Sequence, residues 1–348
     1  MRKLLIISHS QYGSLTDTYK YCQYLDDFYI TYLSFDFGLP KRLVPNGKLI
    51  YVPHTQIKIL NGILFLLYSI IVALFHSGPI FVVYFPHCSI IKKVLFGKKM
   101  NVDIRTLSVA KTKIKRYTED RLLKKEIVYF DSISIIAKEL AVRCGIDTFP
   151  NVYILPLGAD VISTNDKDFS DFRLLYVGTL YNRHIIETVK GIELFLKKNP
   201  DSLIHYDIIG GGEELEEIES YIKQKGLSNK IVTYGTLPFE KVKPFMDKCN
   251  IGISYIPMTD WYDFQPPTKT YEYILSGMYC IATQTYANSQ IITKENGILH
   301  TDNPLEFCNA LESAYYRRNI LNSEKIRNTL KESQWKIIVD KYLRQIIK

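Results

Sequence analysis

The sequence predicts an α/β protein built from two doubly wound parallel sheets. Short apolar runs alternate with helical segments along the whole chain, the pattern of parallel strands joined by crossover helices. The 348 residues are enough for about two domains, each with its own core. A polar stretch, LGADVISTNDKDFSD (157–171), suits a linker between two similar halves. Two such sheets facing one another would set a central cleft at the carboxyl ends of their strands, where ligands of these folds bind.

The elements follow in order. The opening MRKLLIISHS has two basic residues and an apolar run shorter than that of a signal peptide, so KLLIIS (3–8) is expected to be a buried first strand. ITYLSF (30–35) is the second. No charged residue occurs from Ile59 to Ile91, and ILNGILFLLYSIIVALF (59–75) is apolar nearly all round. A spanning helix needs about 20 residues; this run is shorter, carries Asn61 and Gly62, and stops at the Gly78-Pro79 breaker. A buried helix feeding the strand IFVVYF (80–85) is expected, with membrane-surface contact as the secondary reading. VDIRTL (102–107), SISIIA (132–137) and NVYILP (151–156) complete the first half. The second half offers FRLLYVG (172–178), LIHYDIIG (203–210), KIVTYG (230–235), IGISYIP (251–257) and YCIAT (279–283), with helices at 213–225, 239–248, 268–276 and 304–317.

Composition narrows the classes. With 47% hydrophobic and 23% charged residues and no low-complexity tract, disordered, collagen-like and coiled-coil chains are excluded. Six scattered cysteines form no close pair for a zinc knuckle or redox motif, so free thiols in a reducing compartment, a cytoplasmic protein and no structural metal are expected. The net charge of +8 is uneven: residues 1–160 hold 21 Lys and Arg against 12 Asp and Glu, and the rest is nearly balanced. Between Lys92 and Lys125, twelve basic residues face only Asp103, Glu119 and Asp120. Such a surface attracts polyanions, either anionic lipid headgroups or a lipid-linked diphosphate; no nucleic-acid-binding motif accompanies it, and a solvated basic face is the plain alternative.

Three segments carry candidate chemistry. The turn VGTLYNRH (177–184) ends a strand and opens a helix, so its backbone N–H groups and the helix dipole can face an anion, with Arg183 adding a full charge, or, like many strand-to-helix turns, it binds nothing. IIGGGEELEE (208–217) sets Gly210, Gly211 and Gly212 between strand and helix, suited to a tight turn and compatible with close approach to a nucleotide. In QPPTKTYEYILSGMYCIAT (265–283), Pro266 and Pro267 fix an extended loop, Thr268 begins a helix, and Gly277 ends it. Lys269 and Glu272 share one face of that helix; they fit either a diphosphate and a ribose diol or an ordinary surface ion pair. His87, after a strand, fits a cleft residue or hydrogen-bonded scaffold. Asp260, Trp261 and Tyr262 fit a sugar-site loop or a capping loop.

The series VGTLYNRHII, IIGGGEELEEIESYIKQKGLSNKIVTYGTLP, FMDKCNIGISYIP, PPTKTYEYILSGMYCIAT and NGILHTDNPLEFCNAL resembles, in order from about Arg173 to Tyr316, the nucleotide-sugar domain of glycosyltransferase family 4. More loosely, SQYGSLTDTYKYCQYL (10–25) is similar to the loop and helix after the family's first strand, VYILPLGADV (152–161) to its interdomain segment, and SQWKIIVDKYLRQIIK (333–348) to its returning carboxyl-terminal helix. The resemblance implies a GT-B fold: a Rossmann-like acceptor domain at 1–160, a Rossmann-like nucleotide-sugar domain at 161–330, and a closing helix at 331–348.

It further implies a retaining, metal-independent hexosyltransferase with no cofactor. Glu272 matches the second glutamate of the family's paired-glutamate motif, which binds the donor ribose. Lys269 matches the lysine of the Pro-x-Lys-x-x-Glu-Tyr subgroup and, with Arg183, would neutralise the departing diphosphate. Gly13, Gly178, Thr179, Gly210, Gly211, Thr268 and Thr270 fall at donor-binding positions. The sequence departs where the first glutamate would stand, at Phe264, so sugar contacts pass to Asp263 or Gln265. Thr179 replaces a frequent arginine. The histidine often near the donor sugar is absent, leaving Asp103 and Arg105 as substitutes or as a structural pair, with His87 a further sugar or acceptor candidate. The expected partners are a nucleotide-sugar donor, a lipid-linked saccharide acceptor of surface-polysaccharide synthesis, and the anionic inner face of the cell membrane. A nucleotide-sugar epimerase and a non-catalytic binding protein are the alternatives.

Overall fold

The computed structural model describes residues 1–110 and 112–348; Lys111, one of the twelve cations of the basic segment, lies outside the described residues. The first unit comprises Met1–Leu157 with Trp335–Lys348. Its strands are β1 (Arg2–Ile7), β2 (Phe28–Asp36), β3 (Gly47–Pro53), β4 (Ile80–Val83), β5 (Met100–Ile104), β6 (Ser132–Ile135) and β7 (Val152–Ile154), in the order β3-β2-β1-β4-β5-β6-β7. Every neighbouring pair is parallel. Leu4, Leu5, Ile6 and Ile7 are all buried, as expected of a central strand covered on both faces. The order reverses between β1 and β4, which makes their carboxyl ends this sheet's switch point.

Between these strands run α1 (Thr16–Tyr24), α2 (Lys58–Phe75), α3 (Ser89–Val94), α4 (Lys113–Ile127) and α5 (Lys138–Cys144). Two expectations need correction. β3 forms where no strand was expected: it is an edge strand whose residues are mostly half-exposed, so it lacks the continuous apolar run of its neighbours. And α2 is not buried. Only Asn61, Phe65, Ser69 and Ala73, one row at a four-residue spacing, are buried; the helix lays a narrow row on the domain and leaves its other sides open.

The chain returns to this unit at its end. Trp335 is buried with its ring 6.0 Å edge-on from Tyr21, and Arg344 pairs with Asp27, with Asp26 at 3.2 Å, and with the Tyr24 carbonyl.

The second unit, Gly158–Gln334, repeats the plan. β8 (Phe172–Val177), β9 (Ile204–Ile209), β10 (Ile231–Thr233), β11 (Ile251–Ser254), β12 (Tyr279–Thr283) and β13 (Gly297–His300) lie in the order β10-β9-β8-β11-β12-β13, all parallel. Its helices include α6 (Ile186–Lys198), α7 (Leu215–Gln224), α8 (Phe239–Lys248), α9 (Thr268–Leu275), α10 (Tyr286–Ser289) and α11 (Pro304–Tyr316). The doubly wound architecture expected from the sequence is thus present twice. β13, only four residues long, is a strand the sequence did not announce. The switch point here lies between β8 and β11, which places residues 177–179 beside residues 254–255.

Candidate functional site

At the end of β8 the second unit gathers two cations. Pro267 caps α9 from an extended backbone (φ −81°, ψ 119°) that its ring favours. The first turn of α9 carries Lys269 back over β8, its ammonium 3.9 Å from the centre of the Tyr176 ring. Gly178 makes room for it: a Cβ there would stand 2.8 Å from the Lys269 Nζ. Tyr176 is itself fixed, its hydroxyl donating to the Thr179 carbonyl at 2.8 Å. One turn further along α9, the Tyr273 phenol oxygen accepts the Val177 N–H at 2.8 Å, tying helix to strand.

Arg183 supplies the second cation, its guanidinium 4.5 Å from the centre of the Tyr262 ring. Burial foremost, then the Arg183 charge, pushes the Lys269 ammonium down to about 7; the Glu272 carboxylate acts in the opposite direction. Tyr176, Gly178, Arg183, Tyr262, Lys269 and Glu272 therefore form one electrostatic neighbourhood at the switch point. Two cations driven together at the carboxyl end of a parallel sheet suit an anion with two charged groups, which would restore the Lys269 proton. Tyr176 had no signal in the sequence, and Tyr262, expected in a sugar-site or capping loop, was not expected as the partner of Arg183: each tyrosine stands far along the chain from the cation it holds. Among the described residues no three His, Cys, Asp or Glu side chains gather to hold a metal ion.

Other candidates are placed differently. Of the two readings of the turn after β8, amides aimed at an external anion or an ordinary turn, the contacts fit the second, for the Glu214 carboxylate already takes the N–H groups of Arg183, His184 and Ile185 at 2.6, 3.0 and 3.1 Å. An internal carboxylate, 31 residues on from Arg183, fills the anion role at the start of α6. Gly210 and Gly211 pack loops together: a Cβ on Gly210 would strike the Gly178 carbonyl at 1.8 Å, and one on Gly211 the Thr236 hydroxyl at 2.4 Å. Thr268 stands half-buried at the start of α9. Thr270 is fully buried, its hydroxyl 2.6 Å from that of Ser254 and donating to Asn288 at 3.1 Å, so it anchors α9. The Thr179 hydroxyl accepts the Tyr181 N–H at 3.3 Å. Asp263 accepts the Tyr286 N–H at 2.7 Å and so caps α10, while the Gln265 amide donates to the Trp261 carbonyl at 2.8 Å. Phe264, between them, stacks on Tyr286 at 4.8 Å.

In the first unit, Gly13 has φ +90° and lies against the Arg42 side chain, which stacks on Tyr19. Arg105 bonds Asp17 at 2.6 Å and the Leu155 carbonyl at 2.8 Å; Asp103, wholly buried, accepts from Ser134 at 2.6 Å, and burial raises its carboxyl to about 6 although Arg105 opposes this. These contacts describe a structural network holding β5, β6 and α1 together. His87 keeps an exposed ring on a left-handed backbone (φ +71°), and its N–H donates to the buried Glu126 at 2.9 Å. Glu126 also accepts from Tyr84 and Ser89. At this unit's own switch point His9, stacked on Phe85 at 3.9 Å, is pushed down to about 4 by burial.

Residues 171–316, from the start of β8 to the end of α11, match the family model described as glycosyl transferases group 1. Among curated sequences, none matches. Solved structures similar to the whole chain include a sucrose-phosphate synthase from Thermosynechococcus elongatus, at a TM-score of 0.76 and 14% identity, with 99% of this chain and 98% of that one covered. The lipopolysaccharide outer core galactosyltransferase WaaB in its apo form follows at 0.72 and 15%, covering 100% and 99%. HepE from Anabaena, in complex with UDP and glucose, aligns at 0.72 and 12%, covering 98% of each chain. At these identities the likeness is one of fold. The chain takes the GT-B fold, and its residues 171–316 match the model of the group 1 glycosyl transferases.

Proposed function

We propose that the protein is a retaining glycosyltransferase that moves a sugar from a nucleotide diphosphate sugar to an acceptor hydroxyl of a lipid-linked saccharide in surface-polysaccharide synthesis. The observation that carries this reading is the pair of tyrosine-backed cations, Lys269 and Arg183, at the switch point of the second unit. As the bond between sugar and phosphate breaks, negative charge grows on the departing diphosphate; fixed cations already in place lower that barrier without reorganisation. Here they take the part a metal ion plays elsewhere. Glu272, on the same helix, takes the ribose hydroxyls. The acceptor attacks from the face the diphosphate leaves, and the leaving phosphate oxygen accepts its proton, so no protein nucleophile takes part. HepE was solved with UDP and glucose, which supports a uridine nucleotide as the first donor to try. The cysteines are buried free thiols, in keeping with a cytoplasmic location at the inner membrane face.

Thermal stabilisation by a panel of nucleoside diphosphates tests the donor site. Selective stabilisation by one of them, lost in Lys269→Met and Glu272→Ala, is expected; no stabilisation by any overturns the reading. A second reading, nucleotide binding without turnover, is favoured by one observation. Phe264 stands where the resemblance places a glutamate, and its neighbours Asp263 and Gln265 are engaged with the Tyr286 N–H and the Trp261 carbonyl. Turnover of a stabilising donor would exclude it.

A further inference from the structure

We propose that α2 is an interfacial helix that seats the first unit on an anionic lipid bilayer, its outer side entering the acyl boundary and a collar of lysines meeting the headgroups. The proposal deepens the reading of a lipid-linked acceptor and rests on it for its purpose, but not for its physics. The inward row of α2 is the wrong one for an ordinary surface helix: it buries Asn61, Ser69 and Ala73 beside Phe65. The outward sides instead carry Ile59, Ile63, Leu67, Ile71, Leu74 and Phe75, each at least half exposed, Phe75 at 82%. Water is a poor neighbour for so large a contiguous apolar surface, and such a patch marks an interaction site.

The helix is held to the domain rather than free to cross a membrane. Asn61 exchanges hydrogen bonds with Thr55, at 2.7 Å to its carbonyl and 2.8 Å from its N–H. Phe65 sits among His9, Phe35 and Phe85, with ring centres 4.4, 4.5 and 5.2 Å away. Anchored along that row, α2 lies on the surface of the unit with its apolar sides outward.

Charge decides the occupant. Residues 37–102 contain eight Lys and Arg and no Asp or Glu. At the carboxyl end of α2 the Lys98 ammonium donates to the His76 carbonyl at 2.7 Å, and Lys98, Lys3 and Lys48 all act on the His76 ring. Lys58 stands at the other end of the helix. A second copy of this chain would bring two cationic collars together with no carboxylate from this region between them. An anionic bilayer offers both what the apolar sides need and what the lysines need.

The test uses the full chain with vesicles of phosphatidylcholine alone and of phosphatidylcholine with about a third phosphatidylglycerol, read by co-sedimentation. Binding to the anionic vesicles, weakened by high salt, is expected, with little to the neutral ones. Leu67→Glu and Ile71→Glu, both at exposed positions, should each reduce it about tenfold. The indole introduced by Leu67→Trp should shift its emission to the blue on anionic vesicles only. Binding unchanged in both glutamate variants, or equal on the two kinds of vesicle, would overturn the proposal. So would a stable dimer in sedimentation that Leu67→Glu dissolves, which would assign the face to a second copy. Nucleoside diphosphate stabilisation should be unaffected by Leu67→Glu, and vesicle binding by Lys269→Met, so the two readings fail separately.

Discussion

Replacing Lys269 by methionine should separate folding from binding. In the free protein, burial and Arg183 lower the lysine from 10.5 to about 7, so its charged form is less favourable in the folded chain than in the unfolded one. Between those two values the unfolded chain binds more protons, and stability therefore rises with pH across that window. The destabilisation is complete below about pH 7 and gone above about pH 10.5. A shift of this size in full corresponds to about 5 kcal/mol. The side chain is only half-buried, which screens it to about 2 kcal/mol, and losing the contact with Tyr176 takes back about 1 kcal/mol. Methionine keeps the stem and removes the charge. Urea denaturation should show Lys269→Met more stable than the parent by about 1 kcal/mol at about pH 6, and no more stable at about pH 9.5. The variant should lose most of its stabilisation by nucleoside diphosphate. In the parent that binding should weaken as pH rises above about 7, because the anion must then recruit a proton to Lys269. A variant destabilised equally at both pH values, or one that keeps the ligand response, refutes the reasoning.

Three further outcomes follow from the same structure. Glu214→Gln leaves three amides at the start of α6 without their carboxylate and should cost about 2 kcal/mol in urea denaturation. Gly178→Ala drives a methyl group against the Lys269 ammonium, and calorimetry should show nucleoside diphosphate affinity falling at least about tenfold, or about 1.4 kcal/mol. Arg105→Met strands the wholly buried Asp103 and the half-buried Asp17, and should destabilise the chain by about 3 kcal/mol while the binding stoichiometry for nucleotide stays unchanged.

What the sequence could announce depended on whether the relevant physics was local. Central parallel strands are covered on both faces, so β1, β8 and β12 read as continuous apolar runs and their positions were legible. β3 was not, because an edge strand needs no such run, and β13 is too short to make one. Pro267 and the helix it opens are also local, which is why the turn carrying Lys269 could be found. Its environment was legible only in part: the resemblance paired Lys269 with Arg183, but Tyr176, which stacks on it, and the burial that with Arg183 lowers its affinity for a proton come from its packing on another strand and the loop after it. The turn at 177–184 shows the converse case, two local readings decided by a residue far along the chain. Its free-looking amides fitted an external anion, yet Glu214, beyond the intervening helix and strand, had already supplied one.

The helix α2 fails for a third reason. Apolar composition says that a surface avoids water, and says nothing about whether the rest of the chain or something else will cover it. Here the chain covers one row, using Asn61 and Ser69 where a core helix would use leucine. A buried asparagine tied to Thr55 fixes how the helix is rotated, and that rotation is what turns Ile63, Leu67 and Ile71 outward. Asn61, which argued against a membrane-spanning segment in the sequence, is therefore the residue that presents the apolar side of α2 to its surroundings.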